Sequence, residues 1–413
     1  MTAAPGGGKA QQPLAADSLD QASDPQASRM SRPEHRRASP WVLPIIVLMS
    51  FPVMETTRSR AQSQIDANFP REDWQPTRAV PGAHYVGSKV CATCHVAESS
   101  TQPSTPMANA MSPIAECQAL QSHPRLGVRL GRYSYLIATQ NGDATYTVRD
   151  GSRSISATLL WAFGQGGAGQ TYIYRQNGAF YESRVSYFKE TSGLDLTLGV
   201  DPDEPQTLEA AAGRPLRQGE VAPCFSCHAT ASVGEAGLQL KDMTPGITCE
   251  GCHGAGDQHV AAVRSGKFDN LHIFNPGKLE TADLVDFCGS CHRTPLDVAK
   301  LTLNCVATVR FQPYRLLLSR CFESGERRIS CLACHNPHQQ VERNMAFYDA
   351  KCLACHGGPR RSAPVRGHVV AQCRVARANC VSCHMPRYEL PGGHFKFTDH
   401  DIQITRPGAP CRG

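Results

Sequence analysis

One five-residue pattern recurs seven times in this chain: two cysteines separated by two residues, with a histidine directly after the second. The copies are Cys91-Ala-Thr-Cys94-His95, Cys224-Phe-Ser-Cys227-His228, Cys249-Glu-Gly-Cys252-His253, Cys288-Gly-Ser-Cys291-His292, Cys331-Leu-Ala-Cys334-His335, Cys352-Leu-Ala-Cys355-His356 and Cys380-Val-Ser-Cys383-His384. This is the attachment signal of a c-type haem, in which two thiols add to the vinyl groups and the adjacent histidine becomes the proximal iron ligand. Seven covalent macrocycles constrain folding more than any local propensity does. From Cys91 to His384 there is one motif per roughly 42 residues. Porphyrin faces can then supply much of the core, so neither long helices nor a large sheet is required. The expectation is an α+β chain with little regular secondary structure, packed around seven haems.

The other cysteines and the charge narrow the class further. Nineteen cysteines are present, and five lie outside the motifs: Cys117, Cys305, Cys321, Cys373 and Cys411. Haem attachment takes place outside the cytoplasm, where disulfides also persist. An odd number leaves at least one of the five unpaired or joined to another chain. The formal charge of +6 omits the propionates. Seven haems with both propionates ionised would move it to about −8. With no dense Lys/Arg run interleaved with aromatics, nucleic acid is not an expected partner.

The first 62 residues read as a leader. Residues 1–29 are rich in Ala, Gly, Gln and Asp and have the composition of a disordered segment. A basic stretch from Met30 and the apolar run Trp41–Met54 then form a secretory signal, with Met30 as the expected start. The run is short for a membrane span, although an uncleaved signal anchor through residues 41–54 is the alternative. The expected organisation continues with 63–125 carrying haem 1, a β-rich insertion over 126–215, haems 2–7 over 216–404, and a tail over 405–413.

The insertion is read from turn chemistry. Tyr133–Thr139 and Ala144–Val148 flank Gln140-Asn-Gly-Asp143, and Gln170–Tyr174 and Ala179–Ser183 flank Arg175-Gln-Asn-Gly178. Both are hairpin signals. They place an antiparallel β-rich segment between haems 1 and 2. Gly164–Gly169 lacks the lysine and the strand–turn–helix setting of a phosphate loop and reads as a plain turn. Beyond Cys224 the motifs start 25, 39, 43, 21 and 28 residues apart, with no fixed repeat.

Each iron needs a sixth ligand or an open site. A second imidazole favours a low potential, whereas a thioether raises it. Outside the motifs and the leader, eight histidines remain. His338, in Cys334-His335-Asn-Pro-His338, is too near its own haem to reach around it and is expected to serve a neighbour. His259, His272, His368, His394 and His400 are further distal candidates, His84 and His123 weaker ones. Met107, twelve residues after His95, is a candidate sixth ligand for haem 1.

Several stretches together resemble the cytochrome c-554-type multihaem proteins. The likeness is closer still to the haem domain that often precedes tetratricopeptide repeats in bacterial secreted proteins. They are Tyr85-Val-Gly-Ser, Thr105-Pro-Met-Ala-Asn, Gly246-Ile-Thr-Cys through His259, Asn275-Pro-Gly-Lys-Leu, Ser319-Arg-Cys321-Phe, Cys334-His-Asn-Pro-His338, Cys383-His-Met-Pro and His394-Phe-Lys-Phe-Thr-Asp-His400. The resemblance spans about residues 84–404. It implies extracytoplasmic electron transfer, mostly through bis-histidine haems, and strengthens His259, His338, His394 and His400. No helical repeats follow before Gly413, so any partner-binding role of such repeats is expected to be missing or to lie on another polypeptide.

Two functions compete. An electron carrier between redox partner proteins needs every iron capped, and eight histidines plus Met107 suffice for seven. A reductase or oxidase acting on a small nitrogen or sulfur oxyanion needs one open iron beside basic groups. The Cys-x-x-Cys-Lys variant typical of pentahaem nitrite reductases does not occur, and Lys351, Arg360, Arg361 and Arg387 read as propionate partners or surface charges. Zinc held by paired Cys-x-x-Cys units would not require a histidine after every second cysteine. The carrier is the expected function, with no catalytic residue assigned.

Overall fold

A computed structural model describes residues 82–405 apart from 235, 302, 304, 324–327 and 358–372, together with 410 and 411. Residues 1–81, which include the expected leader and its apolar run 41–54, as well as His368 and most of 406–413, lie outside the described residues.

Nine antiparallel strands form one sheet. They are β1 Met111–Pro113, β2 Arg125–Leu130, β3 Tyr133–Gln140, β4 Asp143–Arg149, β5 Ser154–Phe163, β6 Gln170–Gln176, β7 Ala179–Phe188, β8 Gly193–Leu196 and β9 Gly213–Pro215. Strands β2 to β8 follow in chain order, with β1 added against β5 and β9 against β7. Tight turns join β3 to β4 through Asn141-Gly142 and β6 to β7 through Asn177-Gly178. All four residues have positive φ. That backbone matches the twist of the paired strands, and Asn and Gly adopt it at least cost.

Alternation decides which face is buried. Tyr133, Tyr135 and Ile137 of β3 and Ala144, Tyr146 and Val148 of β4 point into the core, while their neighbours face outward. β5 bends at a bulge between Leu159 and Trp161. Its first half pairs with β4 and its second with β6 and β1. The ends of the path, β2 and β8, come beside each other, so the sheet curls around its tyrosine-rich core.

The sheet seats the second motif. Phe225, fully buried on the helix Gln218–His228, meets the ring edges of Trp161 and Phe163 at 5.1 and 5.2 Å. Phe163 also lies 5.0 Å from the His228 ring.

The remainder consists of short helices and loops. Its all-protein cores are small: Val285, Leu316 and Leu317 form one, and Val298, Phe311 and Tyr314 another. Two polar ties hold distant segments together. Buried Glu250 accepts the amides of Val86, Gly87 and Gly256 at 2.8–2.9 Å. Arg315, on the helix Gln312–Leu317, grips Asp399 through Nε and Nη2 at 2.8 and 2.7 Å, with Asp401 3.6 Å away. Among the described residues, no helix is long and apolar enough to cross a membrane.

Candidate metal centres

Six motifs are wound wholly or mostly as helix, and the first is a turn that follows the helix Ser88–Cys91. Cys249–His253 and Cys380–His384 are short helices in themselves. Three more motifs close the helices Gln218–His228, Thr281–His292 and Met345–His356. In the first and fifth motifs the amides of His95 and His335 bond back to the carbonyls of Cys91 and Cys331, both at 2.9 Å. On a helix, positions i, i+3 and i+4 share one face. Both thiols and the imidazole of a motif therefore leave the backbone on the same side, as a covalently held haem requires.

The backbone also aims the imidazoles. Nδ1 of His228 donates to the Ala110 carbonyl, of His253 to Phe274 and of His384 to Gln403, at 2.9–3.0 Å. His259 and His400 do the same with Leu271 and Thr398. Only an N–H can donate to a carbonyl, so in the neutral ring this bond leaves Nε2 as the unprotonated nitrogen, the tautomer a metal needs. Burial favours the neutral form further. It lowers the pKa of His228, His292 and His335. It brings His400 down to about 4, with His335 adding to the effect.

Among the described residues, three histidine pairs lie at a separation that a metal between them would span. Ring centroids are 6.3 Å apart for His95 and His259, 6.0 Å for His253 and His338, and 6.2 Å for His335 and His400. Two imidazoles on one metal, with bonds of about 2.0 Å and each nitrogen about 1.1 Å from its ring centre, have centroids roughly 6.2 Å apart. In each pair a motif histidine meets one from outside the motifs. Among the described residues, no three or more His, Cys, Asp or Glu side chains converge on a bare ion.

Cysteines of different motifs lie near one another. The thiols of Cys91 and Cys249, of Cys227 and Cys291, of Cys288 and Cys331, and of Cys352 and Cys380 are close neighbours. Cys252 lies near Cys288 and Cys291, and Cys334 near Cys352. In space the motifs thus run 1, 3, 4, 5, 6, 7, with motif 2 beside motif 4. Near motif 2, Arg293 sits close to His228 and to Arg310. The Arg310 Nε is buried without a hydrogen-bond partner. A buried guanidinium nitrogen without an acceptor suits an anionic carboxylate, the group a haem propionate presents.

The other candidates are placed elsewhere. His394 Nε2 bonds Asp195 Oδ2 at 2.7 Å, and its ring packs on Phe188. His123 bonds the Ala119 carbonyl and packs on Tyr187. His84 and His272 are exposed. Met107 is half-buried, and its carbonyl accepts the amide of Ile247 at 2.9 Å. Glu250 and Arg315 gave no sequence signal as positioning residues, because their partners lie far away in the chain.

The sequence model of the family described as cytochrome c554 and c-prime matches residues 184–254, a stretch that contains the second and third motifs. No curated protein and no solved structure matches the chain. The seven Cys-x-x-Cys-His motifs and the match over 184–254 support a c-type cytochrome that is similar, over that stretch, to the cytochrome c-554 family.

Proposed function

We propose that the chain carries seven c-type haems and passes electrons between partner proteins outside the cytoplasm. The cysteine pairs 91/94, 224/227, 249/252, 288/291, 331/334, 352/355 and 380/383 would hold them, with His95, His228, His253, His292, His335, His356 and His384 as proximal ligands. His259 would cap haem 1, His338 haem 3 and His400 haem 5. When bound, each haem would take up and release one electron at its iron. The chain's own part is to fix the imidazoles in the neutral tautomer and to set the order of the sites through the motif contacts.

The observation that carries this reading is the spacing of the three facing histidine pairs. It favours His259 over Met107 opposite His95, and His400 over His394 opposite His335. Low-temperature EPR of the oxidised, haem-loaded protein tests it. A wholly low-spin spectrum is expected, and His338→Ala should convert one haem to high spin. A His338→Ala spectrum that stays low-spin removes that ligand assignment.

The Arg293/Arg310 pair beside His228 supports a second reading, a small oxyanion bound at one open haem. A high-spin signal equal to one haem in the unmutated protein, shifted by added nitrite or sulfite, would put that reading first.

A further inference from the structure

The cysteines outside the motifs differ in their surroundings. Cys117 is buried under the sheet and its thiol donates to Gln170 Oε1 at 3.1 Å. Cys373 is exposed and its sulfur accepts the amide of Ala376 at 3.4 Å. Cys321 lies near Cys352 of the sixth motif. Cys305 and Cys411 have each other. Their thiols lie close to one another, both residues are half-buried, and both lie near Tyr388. Cys305 opens the 3-10 turn Cys305–Thr308, just before the helix that carries Arg315. Cys411 lies beside that helix, close to Tyr314 and Arg315. Two thiols from remote parts of one chain, brought together in a polar, half-buried setting, are placed for a covalent link.

We propose that Cys305 and Cys411 form a disulfide that ties the segment downstream of Asp399 to the turn ahead of the Arg315 helix. The Sγ–Sγ bond forms as each thiol gives up one proton and one electron. Both electrons go to an oxidised protein disulfide: one thiolate attacks it to form a mixed disulfide, the second displaces the carrier's thiol, and the carrier leaves as a dithiol. The inference rests on the export proposed above for its oxidant alone. The stapled stretch carries His400, which faces His335, and Gln403, whose carbonyl holds His384. The same stretch is anchored by Asp399 on Arg315. The staple therefore secures one candidate distal ligand and the support of one proximal ligand.

The test is a thiol map of the haem-loaded protein from an exporting host. Free thiols are alkylated in denaturant without reductant, and the digest is read by mass spectrometry, with haem content measured on the same sample. A linked peptide pair containing Cys305 and Cys411 is expected, about 2 Da lighter than the two free peptides together. Reduction should resolve it into two labelled peptides. Cys411→Ser should add one label, at Cys305. Label on both cysteines before reduction, in protein with its full haem content, overturns the staple and leaves the electron-transfer reading standing. So does either cysteine bonded to a different partner, or an unchanged label count in Cys411→Ser.

Discussion

Replacing Arg315 by methionine should cost much of the stability of the region around the fifth and seventh motifs. The guanidinium and Asp399 are at most 1 % exposed and share two hydrogen bonds. Methionine keeps the apolar bulk but leaves Asp399 charged in a protein interior, with Asp401 adding a second nearby carboxylate. Removing one partner of a buried ion pair costs about 3–5 kcal/mol. With a guanidinium dependence of roughly 4 kcal/mol per molar for a domain, the unfolding midpoint should fall by about 1 M. The titration is followed by the haem absorption band, and EPR reports the native samples. Because Asp399 adjoins His400, some high-spin haem should accompany the loss. The double variant Arg315→Met with Asp399→Leu should recover most of it, since apolar replacement of a whole buried pair is often neutral. A single variant whose midpoint moves by less than about 0.3 M would refute the claim that this pair holds the segment, because so small a shift is about 1 kcal/mol.

Four further outcomes follow from the same geometry. Glu250→Ala orphans the amides of Val86, Gly87 and Gly256 and should cost at least about 3 kcal/mol in denaturant, with faster proteolysis near residue 86. His259→Ala should leave one high-spin haem by EPR, whereas Met107→Leu should leave the spectrum unchanged. Gly246→Ala should depress the yield of folded protein measured by haem absorbance. Its φ is +77°, and a Cβ there would run into the Ala108 carbonyl. Asp349 accepts the amides of Asn379 and Cys380, which lower its pKa. Its contribution is present above the ordinary carboxylate value near pH 4 and is lost as pH falls through the lower folded value. An acid titration followed by hydrogen exchange should show the amides of residues 379–380 opening in that range, and Asp349→Ala should have them open already at neutral pH.

Legibility followed the range of the forces involved. The motifs are local chemistry, complete within five residues, and could be read directly. So could both tight turns, since Asn-Gly meets a backbone demand within two residues. His338 was legible in part: its closeness to His335 pointed to a neighbouring site, but nothing local pointed to His253 as the imidazole it faces. Between His394 and His400 the sequence left the choice open. In the fold the two part company: Asp195, a strand residue remote in the chain, binds His394, whereas His400 bonds the Thr398 carbonyl and its ring lies near that of His335. Glu250 stands inside a motif at a position any residue can fill, so its service to Val86 and Gly87 was invisible until the segments met.

The carbonyls that hold the imidazoles have a consequence for how this protein can change over time. A hydrogen bond from Nδ1 makes the ring a stronger electron donor to whatever its other nitrogen binds. Here the acceptors belong to Ala110, Leu271, Phe274, Thr398 and Gln403, and every one is main chain. A point substitution at any of those positions replaces a side chain and leaves the acceptor in place. The electronic setting of these five histidines is thereby insulated from mutational drift, and retuning it requires moving backbone.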